Sequence, residues 1–305
     1  MILKTCIDFN EKFIKIIEGF EKKSNLYITN IGKIESPIED LKKITSEDVE
    51  ILGNFLIDYF KKNKFKGKFG IFTVNDVDTI YHYFELPNLP ENEIENAIKY
   101  EGVQLIPDFI ENYEYDYISF HINNKRNITL IAYPKNKVDL YCQILTKVKL
   151  KPIIMDVAGI ALLNSFLYFN QTKDIVCFLN FGFSITNCVI YLKDKFLFLR
   201  DIPVGLKNLK DKELIEEQIN ELSEEINISI KYFQNKVGIP VKKIYLTGLE
   251  NQIPEIKEKI ERNLELLCEY YNPFFYLPEN AILSEIKKEG SFYSTCFGLL
   301  TRKII

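Results

Sequence analysis

Apolar positions along the chain follow two spacings. An apolar-rich run from Ile2 to Ile7 leads into Phe9, Asn10, Glu11 and Lys12, and a second run spans Phe13 to Phe20. Two such runs around a short polar break predict strand, tight turn, strand. A polar stretch follows. Then "SEDVEILGNFLIDYFKKN" places Val49, Leu52, Phe55, Leu56 and Phe60 at helical spacing. "KFGIFTVN" (68–75) and "TIYHYFELP" (79–87) return to strand character.

The pattern changes at Pro87 and Pro90. Pro90 suits the first turn of a helix, and Glu91 and Glu93 complement its dipole. Ile94, Ala97, Ile98 and Leu105 form an inner face, and Pro107 ends the helix. "NYEYDYISFHI" and "NITLIAYP" read as strands, and "NKVDLYCQILTKVKL" as a helix. Helix, two strands and helix make an inserted unit at roughly 85–150, dividing the chain into 1–84, 85–150 and 151–305. The apolar segment 153–169 is interrupted by Asp156 and Asn164 and is short for a membrane span, so it reads as a buried helix.

The second half starts the pattern again. "DIVCFLNFG" and "SITNCVIYLKD" form another strand–turn–strand unit, and "KFLFLRDIPVG" adds a strand. In the helix expected over 209–236, Ile215, Ile219, Leu222, Ile226, Ile230 and Phe233 recur every three or four residues, closed by Gly238 and Pro240. "KKIYLTGLE" is a strand ending in a glycine turn, and 253–264 and 290–302 are helices. An Asp or Asn stands at the first turn of each half, Asp8 after Ile7 and Asn180 after Leu179. This weak repeat predicts two duplicated α/β halves facing a cleft.

Composition removes several functions. The 305 residues are 47% hydrophobic and 27% charged, with net charge −4 and no basic stripe, which argues against nucleic acid. The six cysteines form no C-x-x-C pair and the two histidines, His82 and His121, stand apart, so no metal site is expected. Most of the cysteines lie in apolar runs, as packed thiols in a reducing cytosol would.

Several segments in order resemble the PilM family, the actin-like, FtsA-related cytoplasmic proteins of type IV pilus assembly. They are "ELPNLPENEIENAIKYEGVQLIPDFIENYEYDY", "AYPKNKVDLYCQILTKVKLKPIIMDVAGIALLNSF", "LRDIPVG", and "YNPF" with the final "FGLL". The resemblance implies an actin-like (FtsA-like) α/β fold, duplicated around a cleft, with a small α/β insert. At the family's first phosphate loop, Asp8 and Lys15 match, Asn10 stands for the glycine, and Glu11, Lys12 and Phe13 stand for serines. At the second, Asn180 replaces the aspartate while Gly182, Thr186 and Asn187 match. The adenosine-side turn is Gly248, Leu249, Glu250, and on the long helix Glu225 and Ile226 match while Ile228 takes the basic position.

These substitutions predict a decayed phosphate loop. Glu11 would set an anion beside anions, a repulsion of about 4 kcal/mol at close range. Asn10 tolerates a left-handed turn. Asn180 removes a charge that Mg²⁺ prefers. The candidate nucleotide contacts are Asp8, Asn10, Lys15, Gly182, Thr186, Asn187 and Gly248. Ordinary roles stand beside them: Asp8 as a turn residue, Lys15 as a solvent-facing strand lysine, the glycines as turn formers, Asp156 as a helix cap, and Cys177 and Cys188 as core.

The resemblance implies a scaffold at the cytoplasmic side of the inner membrane. It would hold the short cytoplasmic tail of a single-span, PilN-like protein between the first lobe and the insert, with a pilus ATPase and self-association as further contacts. No catalytic residue and no cofactor are expected. The alternative is an active actin-like ATPase, with ATP and Mg²⁺, of a pilus, type II secretion or cell-division platform. The ending "TRKII" is too short for the membrane helix of an FtsA-like division protein. Candidate partner contacts are Ile94, Ile98, Tyr100, Leu105, Ile106, Phe109 and Tyr113, with Tyr115 and Tyr117 alternating along the next strand; the ordinary role for each one singly is the insert's own core.

Overall fold

The computed structural model describes residues 2–38, 41–122, 125–170, 172–207, 212–249, 255–278 and 281–304. The opening pattern forms β1 (Lys4–Phe9) and β2 (Phe13–Lys22), followed by β3 (Asn25–Glu35). β3 lies in the stretch that reads as polar. It is a sheet-edge strand, and alternation puts half its side chains in water. Lys23 and Ser24, both with positive φ, make the two-residue loop before it. α1 (Ser46–Lys62) starts at a capping box in which Thr45 and Asp48 exchange side-chain and backbone bonds. Val49, Leu52, Leu56 and Phe60 are buried on it, whereas Phe55 falls beside the stripe and is exposed.

β4 (Phe69–Val74) pairs in parallel with β1, and β8 (Lys151–Val157) with β4. The first sheet therefore runs β3-β2-β1-β4-β8. In the second half, β9 (Val176–Phe181), β10 (Thr186–Leu192), β11 (Phe196–Ile202), β12 (Lys243–Gly248) and β13 (Leu267–Tyr270) run β11-β10-β9-β12-β13. The two orders are the same when matched strand for strand, so the weak sequence repeat is a duplicated fold. The four-residue β13 was too short to be read from its pattern.

Each sheet carries a pair of helices on its outer face. α1 and α4 (Lys135–Lys147) cover the first, where Leu52, Leu56, Tyr141, Ile144 and Leu145 meet Phe9 and Phe72. The helix expected to close the insert thus packs on α1 instead. α6 (Lys212–Val237) and α7 (Ile256–Leu264) cover the second sheet, with the stripe from Ile219 to Phe233 buried as its spacing requires.

The segment 153–169 divides into the end of β8 and α5 (Ala158–Phe169), because Asp156 and Val157 pair with β4 as strand residues. α5 closes the first half yet packs its Leu162, Leu163 and Phe166 on Phe178, Val189 and Leu199 of the second sheet. After the short α8 (Ala281–Ile286), α9 (Ser294–Thr301) closes the second half yet packs on β1, β2 and β4. Each half lends its last helix to the other. The two helices touch so closely that a Cβ on Gly298 would lie 1.7 Å from the Ala161 carbonyl oxygen.

The insert is a three-stranded sheet, β5 (Ile80–Pro87), β7 (Lys125–Pro134) and β6 (Tyr113–Ile122), in the order β5-β7-β6. α2 (Glu91–Leu105) and the short α3 (Phe109–Asn112) cover one face. The insert also covers the open edge of β11. The Tyr83 hydroxyl donates to the Leu199 carbonyl (2.6 Å) and accepts its N–H, and the Thr129 hydroxyl donates to the Leu197 carbonyl (3.0 Å). Side chains here satisfy an edge that another strand would otherwise satisfy. Among the described residues no helix is long and apolar enough to cross a membrane.

Gly298→Ala should destabilise the fold by about 3 kcal/mol, since the methyl has no room between α5 and α9. Urea unfolding measures it, and an unchanged midpoint would contradict the close crossing.

Candidate functional site

The two hairpin turns face one cleft. Asp8 and Lys15 are direct partners across β1 and β2, both buried, and join in an ion pair of 2.7 Å. The Thr73 hydroxyl donates to the other Asp8 oxygen at 2.8 Å. Lys15 is therefore not a solvent-facing lysine, and the Asp8 carboxylate is engaged at both oxygens by the chain itself. Asn10 lies on the turn without a left-handed φ, so the glycine substitution required no unusual backbone.

The second turn is equally self-contained. The Gly182 N–H donates to the Ile185 carbonyl (2.9 Å), and the Thr186 hydroxyl to the Val204 carbonyl (2.8 Å). Asn180 donates to the Asn187 side-chain oxygen at 2.8 Å. Asn187 donates in turn to Asn75 in the first lobe (2.8 Å) and to Asp201 (2.7 Å). Tyr81 of the insert donates to the same Asp201 carboxylate (2.9 Å), whose burial pushes it up to about 6. One asparagine thus connects both lobes, and Asp201 adds the insert. Gly248 has φ +98°, and a Cβ there would lie 2.3 Å from the Phe181 carbonyl oxygen. Leu249 is buried, and Glu250 lies outside the described residues.

Aromatic rings occupy the space between the turns. Phe13 and Phe292 meet edge to face at 5.7 Å. The Lys33 ammonium stands over both rings, Lys15 over Phe292, and Lys12 over Phe183, at 4.6 to 4.8 Å. Such cation–ring contacts contribute about 0.5–2 kcal/mol each. About 10 Å³ of space is left among Asn10, Phe13, Asn180, Leu249 and Phe292, room for about one water. Ile228 is exposed on α6, while Arg200 binds Glu225 by its side chain and its carbonyl.

A second recess has the opposite character. It lies between β6, the outer strand of the insert sheet, and β8, the outer strand of the first sheet, and holds about 370 Å³. Tyr115, Tyr117 and Ile118 line one side, Met155 and Ile160 the other, and Asp156 and Arg302 supply charge. Of the partner candidates, Ile94, Ile98, Ile106 and Phe109 are the buried core of the insert. Tyr113 is half-buried, its ring centroid 6.4 Å from that of Phe109. Tyr100 and Leu105 are exposed, so Leu105 leaves the expected inner face of α2. Met155, Ile160 and Arg302 were not found from the sequence. The one signal for Met155 was its strand, "KPIIMDV", and only the chain's fold brings Arg302 there.

Asp156 does not cap α5. Val157 holds the cap position, and Asp156 accepts the Val157 N–H through one oxygen at 3.1 Å. Its other oxygen makes no hydrogen bond, and the Arg302 Nε stands 3.5 Å away. Burial pushes the carboxyl up to about 7, against the pull of Arg302.

Lys15→Met should cost about 3–5 kcal/mol by stranding the Asp8 charge, and adding Asp8→Asn should restore most of it; equal urea midpoints for all three proteins would refute the pair. The raised Asp156 value makes the folded state bind a proton between about pH 4 and 7 that the unfolded chain has released, so its contribution declines as pH rises through about 7. The gain in melting temperature from Asp156→Asn should therefore be larger at about pH 8 than at about pH 5. A pH-independent difference would show that Asp156 is not buried as charge.

The profile described as "Type IV pilus assembly protein PilM" matches residues 6–217. Among solved structures, the chain is similar to one described as a "PilM-PilN type IV pilus biogenesis complex", at 16% identity and TM-score 0.82 over 97% of each chain. It is also similar to the ethanolamine utilization protein EutJ from Carboxydothermus hydrogenoformans, at 10% identity and TM-score 0.53, covering 99% of this chain and 90% of that one. No curated protein sequence matches the chain significantly. With the duplicated actin-like fold in place and most of its length matched, the chain belongs to the family of type IV pilus assembly protein PilM.

Proposed function

We propose that the protein is a cytoplasmic scaffold of type IV pilus assembly, held at the inner membrane by docking the N-terminal tail of a PilN-like protein between β6 and β8. The carrying observation is that this groove lies between two strands that are each the outer strand of their sheet. An extended segment entering there can bond to open backbone edges while its alternate side chains meet Tyr117, Ile118 and Met155. The similar solved complex, which pairs PilM with PilN, supports a tail of this kind as the occupant.

The scaffold works without nucleotide in this reading. Three observations support that: Asp8 is neutralised by Lys15, Asn180 has no charge for Mg²⁺, and Phe13, Phe183 and Phe292 fill the phosphate space. The alternative of an active ATPase would need a cleft far larger than about 10 Å³.

The cytoplasmic tail peptide of a PilN-like protein from the same organism should bind in titration calorimetry with the same Kd with and without Mg-ATP. Ile118→Lys with Val138→Lys, the latter on α4 where that helix borders the same groove, should weaken it at least about tenfold, or about 1.4 kcal/mol, with circular dichroism unchanged. No binding to the unaltered protein would reject the docking, and a nucleotide-dependent Kd would reject the nucleotide-free scaffold.

A further inference from the structure

The groove between β6 and β8 has an apolar lining and one buried charge, and nothing in the docking reading above requires the charge. We propose that Asp156 selects the docked segment by taking a cationic side chain, Lys or Arg, from it. The inference rests on that docking reading and adds the chemistry of the occupant.

Asp156 is nine-tenths buried, and its free oxygen has no hydrogen-bond donor. A buried carboxylate without donors is costly, so such a group is ordinarily paired. Arg302 does not fill the role. Its Nε is 3.5 Å away, beyond a good charge-assisted hydrogen bond, and its side chain is 40% exposed. Nor is Arg302 free to approach by moving its backbone, because Lys4 on β1 donates to the carbonyls of Leu300 (2.8 Å) and Arg302 (2.6 Å).

The charges facing Asp156 point the same way. From β6 come Glu114, beside Lys135 at 3.6 Å, and Asp116, which is exposed and raises the Asp156 value further. β7 contributes only Tyr133, a neutral phenol that donates to Asp76. With Glu114 held by Lys135, the groove has two carboxylates, Asp116 and Asp156, against one guanidinium, Arg302. An apolar segment alone would bury Asp156 further with nothing to offset it. A Lys or Arg on the face of the segment turned toward the groove removes that cost, and its neighbours two positions away meet the apolar walls.

Coupling to pH follows. The cation is bound by the ionised carboxylate, so affinity should rise as pH increases through about 7 and level off above about 8. The test uses the N-terminal tail peptide of a PilN-like protein from the same organism and versions with each Lys or Arg changed singly to Gln, titrated at about pH 6 and pH 8. One Gln peptide should bind the unaltered protein about tenfold more weakly at pH 8 and lose the pH dependence. Asp156→Asn should bind the original tail about tenfold more weakly without pH dependence and should not distinguish it from that Gln peptide. Asp116→Asn, at the rim, should keep the discrimination. Equal binding of every Gln peptide, or an undiminished difference in Asp156→Asn, would overturn the inference and leave the docking intact. No binding by any peptide at either pH would overturn both.

Discussion

α5 and α9 cross where Gly298 lies against the Ala161 carbonyl, and the arrangement of the lobes depends on that contact. Each helix ends one half of the chain and packs on the sheet of the other, so neither lobe has a complete core alone. α9 supplies Leu299 and Leu300 to a core containing Cys6, Ile17 and Ile71 of the first sheet. α5 supplies Leu162 and Phe166 to Phe178 and Val189 of the second. A glycine is needed at the crossing because the backbones meet without side chains between them. Everything in the cleft is built on this exchange: the turn after β1 and the turn after β9 face each other because their sheets are held by one pair of helices.

The two turns that face the cleft are held by side chains of the protein itself. On one side of the cleft stands an ion pair, Asp8 with Lys15, and on the other a neutral relay, Asn180 to Asn187 to Asn75. The ammonium groups of Lys12, Lys15 and Lys33 meet ring faces. Three lysine ammonium groups stand in the cleft, and rings take up the space between them. That combination is stable because ring faces and Asp8 compensate the lysines without a ligand.

Much of the fold could be read from periodicity, and the reasons it failed elsewhere are local. The stripe from Ile219 to Phe233 and the two hairpins were legible because long, regular patterns leave one solution. β3 was not, since an edge strand with one wet face reads as polar, and β13 has only four residues. The segment 153–169 is apolar on all sides, so periodicity could not divide strand from helix between Val157 and Ala158. At the cleft, the substitutions Glu11, Asn180 and Leu249 were visible in sequence. The ring contact of Phe13 with Phe292 was not, because 279 positions separate them (292 − 13). For the groove, the sequence offered the tyrosines of β6 but placed Ile94, Ile98, Ile106 and Phe109 with them, and an amphipathic helix cannot say whether its apolar face meets its own sheet or a partner.

The groove and the filled cleft are mechanically related. One wall, β8, is part of the first lobe. The other, β6, belongs to a sheet that leans on the second lobe through Tyr83 and Thr129 on β11, and through Tyr81 on Asp201. A rotation between lobes, the usual motion of a two-lobed protein around a ligand, would therefore change the distance between β6 and β8. Here the rotation is opposed from inside the cleft by Asn187 on Asn75 and by Phe13 on Phe292. Contacts across the cleft therefore hold the two walls of the groove at one spacing. The cleft contacts and the groove are in that sense one structural unit, in which contacts within the chain set the spacing of the lobes.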